Sequence, residues 1–217
     1  MSDVIIYGAP QSNYVRAARM ACIEKGVAHT LEVAGHNTLE ALKSEAHRAL
    51  HPFGKMPAFR HGDNTLFESA AILRYVDEAF DGPALQPADV HGRARVSAWL
   101  SASVDYLYAA FIRGCVLAYA FPAGPDGEPD RSVIDAAVPR MNEYAGIIDR
   151  TLEGQDWLVG GSISLADLMV MPILVAAYNT PEGQAALKPC DNLGRLYQTM
   201  AARPSMKETD PAQAVAA

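Results

Sequence analysis

The spacing of hydrophobic positions changes repeatedly before Asp81, and each change predicts an element. Residues 3–7, DVIIY, form a short β-branched and aromatic run that stops at Gly8 and Pro10, as a buried strand does where it meets a loop. From Tyr14 the apolar residues take helical spacing (Val15, Ala18, Met20, Cys22, Ile23), with Arg16, Arg19, Glu24 and Lys25 mostly opposite. Gly26 then offers a C-terminal stop. VAHTLEV at 27–33 predicts a second strand, and the stretch from Thr38 to Leu50 a looser, polar helix or helical turn. AFRH and TLFE flank Gly62, Asp63 and Asn64 and predict a hairpin over 57–67. Ser69 to Phe80 returns to helical period, with Ile72, Tyr75, Val76 and Phe80 among the residues on one side.

Periodicity then lapses. DGPALQPADVHG at 81–92 is rich in Gly, Pro and Asp and predicts an inter-domain linker. Beyond it strand signals disappear: Arg93 to Phe121 predicts a long helix, Pro122 to Asp130 a loop, and Arg131 to Leu152 a helix that Pro139 should kink or restart. Further helices are expected from Ser164 and over 193–202, and the last dozen residues, near Pro204 and Pro211, should fray. The expected organisation is a mixed domain at 1–81, a linker at 82–92 and an all-helical domain at 93–217, without internal repeats.

Composition narrows the class. A chain of 217 residues suits two domains, and half hydrophobic with a fifth charged excludes disorder. A net charge of −7, without any run of Lys or Arg, argues against nucleic-acid partners and anionic membranes. The start MSDVIIYG lacks the basic and apolar segments of a signal peptide, and no later stretch reads as the ~18 apolar residues of a membrane span, so a soluble cytoplasmic protein is expected. Cys22, Cys115 and Cys190 are far apart and odd in number, with no metal-ligand spacing, which fits reduced packing thiols and no metal site. Ser164 stands three residues before Asp167, a capping-box variant opening the apolar run Leu168 to Ala177. Trp99, Tyr106, Tyr108 and Phe111 read mainly as helical core.

Four segments then carry a resemblance: YGAPQSNYVRAARM at 7–20, HPFGKMPAF at 51–59, LFESAAILRYV at 66–76 and SLAD at 164–167. In order and spacing they resemble the soluble, cytosolic glutathione transferases, from about residue 4 to residue 200. The resemblance implies an α/β thioredoxin-like N-terminal domain followed by an all-α C-terminal domain. It also implies glutathione as co-substrate, a small hydrophobic electrophile, a detoxifying role and a homodimer. HPFGKMPAF has His51 where the family usually has Asn. Residue statistics favour a trans Met56–Pro57 bond, whereas the resemblance implies a cis bond, with the Met56 backbone pairing with the cysteinyl unit of glutathione. Ser69 alone reads as an N-cap; the resemblance adds that Ser69 receives the γ-glutamyl carboxylate and Glu68 the amine, at a helix start that favours anions. Lys43 and Lys55 are candidates for the glycine carboxylate, though each also reads as an ordinary surface lysine.

The catalyst must stabilise a thiolate, because a thiol of pKa ~8.5 is mostly protonated at neutral pH. A hydroxyl donated to sulfur near the positive end of a helix supplies that. Ser12 occupies the position used by serine-type classes, phi and theta among them, but Asn13 replaces the proline that often follows and leaves the class open. Tyr7 matches the tyrosine-type position without the pattern that follows it there, and Tyr14 could reach the sulfur if the loop curls inward. Capping or packing roles for all three stay open. Two functions of different class follow: a thiol-activating transferase, and a non-catalytic interaction module of the same fold. Isomerase, dehalogenase and peroxidase chemistry share that fold. The joint presence of Ser12, Met56–Pro57 and Glu68–Ser69 favours an enzyme.

Overall fold

The structure is a computed structural model that describes residues 3–214. It divides into two compact units, one holding the chain as far as Gln86 and again from Ala202, the other Pro87–Ala201.

The first unit is built on a sheet of order β2-β1-β3-β4. The strands β1 (Val4–Tyr7) and β2 (His29–Glu32) are parallel, while β3 (Ala58–His61) runs antiparallel to β1 and to β4 (Asn64–Phe67). Val4 and Ile6 of central β1 and Phe59 of β3 are buried, and the edge strands β2 and β4 are partly exposed, as their mixed composition requires. The helix α1 (Asn13–Lys25) joins β1 to β2, which parallel pairing demands. It packs against α3 (Ser69–Ala79), and Val15, Ala18 and Cys22 of α1 and Ile72, Leu73 and Val76 of α3 are all buried. The polar stretch before the hairpin is a 3-10 turn, Ala41–Lys43, followed by α2 (Glu45–Leu50).

Two sequence expectations fail at the far side of α1. Its charged residues lie mostly opposite the apolar stripe in the sequence pattern, yet Arg16 and Lys25 are each only 6% exposed. Lys25 pairs with Asp77 of α3 at 3.3 Å, and Asp77 also accepts from the Leu85 amide and the Gln86 side chain, so the first half of the supposed linker is pinned to this unit. The C-terminal residues, expected to fray and to belong to the helical domain, form α10 (Pro204–Glu208) and α11 (Pro211–Ala214) instead. The cause is polar: Arg16 donates to the Met206 carbonyl at 2.9 Å and to Thr209 at 3.1 Å, and Arg203 grips Glu24 at 2.5 and 2.7 Å. Ser205 donates to Glu24 as well. Burial works to raise Glu24, but the hydrogen bonds from Arg203 and Ser205 and the guanidinium charge outweigh it and hold the carboxyl below its usual range. The last few residues of that expectation, 215–217, lie outside the described residues.

The second unit is helical. One helix runs from Val90 to Ala120: α4 (Val90–Ala102), a π-wound middle at Ser103–Val116, and α5 (Leu117–Ala120). It is long and apolar enough to cross a membrane by length and composition, contrary to the sequence reading. Leu107, Phe111, Ile112 and Cys115 are buried, and its middle packs against α6 (Arg131–Thr151) and α7 (Leu165–Tyr178). Pro139 does not restart α6; it lies on the exposed face, while Ile134, Ala137, Met141, Ala145 and Ile148 are buried across both halves. The helix α7 is apolar nearly all round and correspondingly buried. At its start the Asp167 carboxylate accepts from the Ser164 amide and hydroxyl at 2.8 Å and from the Leu158 amide at 2.9 Å. Burial still pushes the Asp167 pKa up to about 6, against those three donors. The short helix α8 (Pro181–Leu187), absent from the sequence reading, and α9 (Asp191–Ala201) complete the unit. Of the four aromatics assigned mainly to this core, only Phe111 is fully buried; Trp99 and Tyr108 are half-buried and Tyr106 is 57% exposed.

Candidate active site

Strand pairing decides which residues share one end of the first sheet. Tyr7 at the end of β1 pairs with Ala58 at the start of β3, and Ala58 pairs with Phe67 at the end of β4. The segments just beyond these residues are therefore neighbours: Gly8–Ser12, Met56–Pro57 and Glu68–Ser69. Gly8 is the point of closest approach. Its φ is +148°, and a Cβ there would lie 2.6 Å from Val15 Cγ2 and 3.0 Å from Met56 Cβ, so only glycine lets the strand end, α1 and the Met56 loop meet. The Ala9 amide lies 3.3 Å from Met56 Sδ.

Ser12 is the N-cap of α1, half-buried, and its Oγ accepts from the Val15 amide at 3.4 Å. A hydroxyl that accepts in this way keeps its own proton for donation elsewhere. Tyr14 lies half-buried in the first turn of the same helix. Tyr7 is buried, its ring edge-on to His36 with centroids 4.8 Å apart.

The Met56–Pro57 bond is cis. Ser69 is not the N-cap that its type suggested: it is the first residue of α3, buried, and the capping position belongs to Glu68. Glu68 has φ +69° and ψ 116°, an unfavourable conformation for a residue with a side chain, and makes no side-chain cap bond. Such backbone costs on the order of 1–3 kcal/mol, and it collects where a ligand is clamped.

Lys43 is exposed at the end of the 3-10 turn, and Lys55 is exposed just before Met56. The two segments touch at Gly54, whose φ is +58° and where a Cβ would come within 2.7 Å of the Leu42 carbonyl. Next to Lys55 stand three histidines to which the sequence assigned no role in the site: His36, His47 and His51. His47 is fully buried, with Nδ1 2.7 Å from His36 Nδ1 and Nε2 2.7 Å from the Lys55 carbonyl. His51 stacks on His47 at 6.3 Å and is 2% exposed, with its Nδ1 unpartnered among the described residues. Burial first, then the His47 and Lys55 charges, hold His51 below the usual imidazole value against the pull of Glu68. The signal was the i, i+4 spacing of His47 in α2 and His51, the residue that caps its C-terminus.

Among the described residues no group of His, Cys, Asp and Glu is arranged to hold a metal. The three cysteines are buried and free, and burial pushes the Cys22 thiol up to about 12, an inert packing group. A cavity of about 380 Å³ in the helical unit is lined by Arg95, Trp99, Arg150 and Gln155 among others and includes none of the residues above.

A four-stranded sheet with a helix start, a proline-gated loop and a strained helix cap at one end, joined in sequence to a helical unit, defines a glutathione-transferase-like protein. Known proteins agree. The model "Glutathione S-transferase, N-terminal domain" matches residues 6–84, and "Glutathione S-transferase, C-terminal domain" matches 112–204. Glutathione S-transferase 1 of Triticum aestivum is 30% identical over 83% of this chain and 82% of its own length. The crystal structure of poplar glutathione transferase F1 superposes with a TM-score of 0.84 at 25% identity, covering 96% of this chain and 97% of that one. A theta class glutathione S-transferase from Xanthomonas axonopodis pv. citri, solved with glutathione bound, gives 0.78 at 27% identity over 96% and 97%. The chain belongs to the glutathione S-transferase family and is a glutathione transferase.

Proposed function

We propose that this chain ionises the thiol of glutathione with the Ser12 hydroxyl and directs the thiolate at a small hydrophobic electrophile. The observation that carries the reading is the convergence of Ser12, Met56 and the Glu68–Ser69 helix start at one end of the sheet. Ser69, with the start of α3, takes the γ-glutamyl carboxylate, and Glu68 takes the amine, its strained backbone aiming the side chain. The Met56 backbone pairs with the cysteinyl unit as an added strand. Lys55, with Lys43 on the adjoining turn, meets the glycine carboxylate. Ser12 then donates its free proton to the sulfur, beside the positive end of α1, while the thiol proton leaves to water. A shift of ~2 units is worth ~2.7 kcal/mol at 1.36 kcal/mol per unit. Tyr7 and Tyr14 act as packing groups, Tyr7 because its ring is buried against His36. Relatives solved with glutathione bound support the choice of thiol. We also infer a cytoplasmic homodimer of about 47 kDa, twice the 23.3 kDa chain.

The test is the thiolate absorbance of the glutathione complex, titrated against pH in wild type, Ser12→Ala, Tyr7→Phe and Tyr14→Phe. The expected result is an upward shift of ~2 units in Ser12→Ala alone. A Ser12→Ala curve lying on wild type, with either tyrosine variant displaced, would move the catalyst to that tyrosine.

A further inference from the structure

The buried His47 is held by a polar neighbour at each ring nitrogen. A carbonyl oxygen only accepts, so the 2.7 Å contact to Lys55 requires the proton of His47 on Nε2. Its Nδ1 lies 2.7 Å from His36 Nδ1, so one of these two nitrogens donates to the other. Burial, and then His47 beside it, hold the His36 pKa below the usual imidazole value against the opposing pull of Glu32. His36 is further fixed by the edge-on ring of Tyr7. A hydrogen-bonded chain therefore runs from His36 through His47 to the backbone of Lys55, one residue before Met56.

We propose that His47, keyed by His36, is a positioning residue for glutathione: its Nε2–H holds the Lys55 carbonyl and so sets the backbone edge that Met56 offers to the cysteinyl unit. This rests on the glutathione site proposed above. His47 itself touches no substrate. Its contribution is to fix one peptide of a loop that also meets the rest of the unit through the Phe53 ring against Phe67, Gly54 and the Met56 side chain.

Calorimetric titration with glutathione, steady-state kinetics and melting curves test this on the full chain. The variant His47→Phe keeps the aromatic bulk and removes the donor. Its Kd and KM for glutathione should rise about fivefold to tenfold, the worth of one hydrogen bond, while kcat at saturating glutathione stays within about twofold. His47→Gln, whose side-chain N–H can reach the same carbonyl, should recover affinity to within about twofold. A purely structural role predicts otherwise: both variants would lose melting temperature and neither would change KM apart from kcat. In wild type, long-range ¹⁵N–¹H spectra should show His47 protonated at Nε2. Unchanged glutathione affinity in His47→Phe, or a His47 with no proton on Nε2, overturns the proposal and leaves the glutathione site standing. Absence of any glutathione binding by wild type overturns the site itself.

Discussion

Ser164 and Ser12 both stand at helix starts, yet the structure uses them in opposite ways. Ser164 is 1% exposed, and its amide and hydroxyl both point into Asp167, which also takes the Leu158 amide. Every polar group there is used internally. Ser12 is half-buried, holds its helix by a single 3.4 Å bond and keeps a hydroxyl proton in hand. Glu68, at the third such start, makes no side-chain capping bond and sits on strained backbone. A closed cap spends its hydrogen bonds on the fold. An open one leaves them for a ligand, at some cost in stability.

The sharpest way to break this comparison is to open the closed cap. Asp167→Ala leaves two amides and a hydroxyl without their acceptor, at about 1–3 kcal/mol each where they stay dry. The loss should be at least about 3 kcal/mol, or roughly 6–12 °C in melting temperature for a chain of this size. Differential scanning calorimetry reads it, and a loss below about 2 °C would mean that the box is not what secures α7. Ser12→Ala should do the reverse: turnover at neutral pH falls roughly a hundredfold, ~2.7 kcal/mol in the barrier, for at most about 1 kcal/mol of stability. Activity should recover as pH rises towards ~9, where the unassisted thiol ionises by itself. Loss of stability without loss of rate would make Ser12 a second Ser164.

A smaller effect tests the polar docking of α10. Glu24 has a folded pKa below its unfolded value of ~4.3, so its stabilisation is present above that value and fades as pH falls through the lower folded one. Glu24→Gln should cost about 1–2 kcal/mol at pH 7, discounted for the partly exposed Arg203, and the gap from wild type should close in acid. An acid-independent gap would show that packing, not charge, holds the helix. Smallest is Glu68→Gly, which releases the positive-φ strain. Melting temperature should hold or rise by up to about 3 °C while glutathione affinity falls, the two moving in opposite directions. If affinity holds as well, Glu68 does not take the amine.

Period and punctuation made much of this fold legible. The alternation to helical spacing at Tyr14, the stop at Gly26 and the turn at Gly62–Asn64 each depend on neighbours in sequence, so local physics suffices to read them. The end of the sheet where Ser12, Met56 and Glu68 meet was legible only through the resemblance, since no local rule reports which loops strand pairing gathers. His47 escaped because a histidine in a polar stretch reads as surface; its burial comes from partners eleven residues before and eight after it. Arg16 escaped for a larger reason. Its partners Met206 and Thr209 stand more than 180 residues away, and an arginine on a helix reads as solvated until they are known.

That return of the chain sets an order of events during synthesis. The β-sheet unit leaves the ribosome first, but α1 cannot bury Arg16 or satisfy Glu24 until α10 emerges, after the whole helical unit has been translated. The unit begun first is thus finished last, and through most of translation it carries an arginine and a glutamate awaiting a strap that does not yet exist.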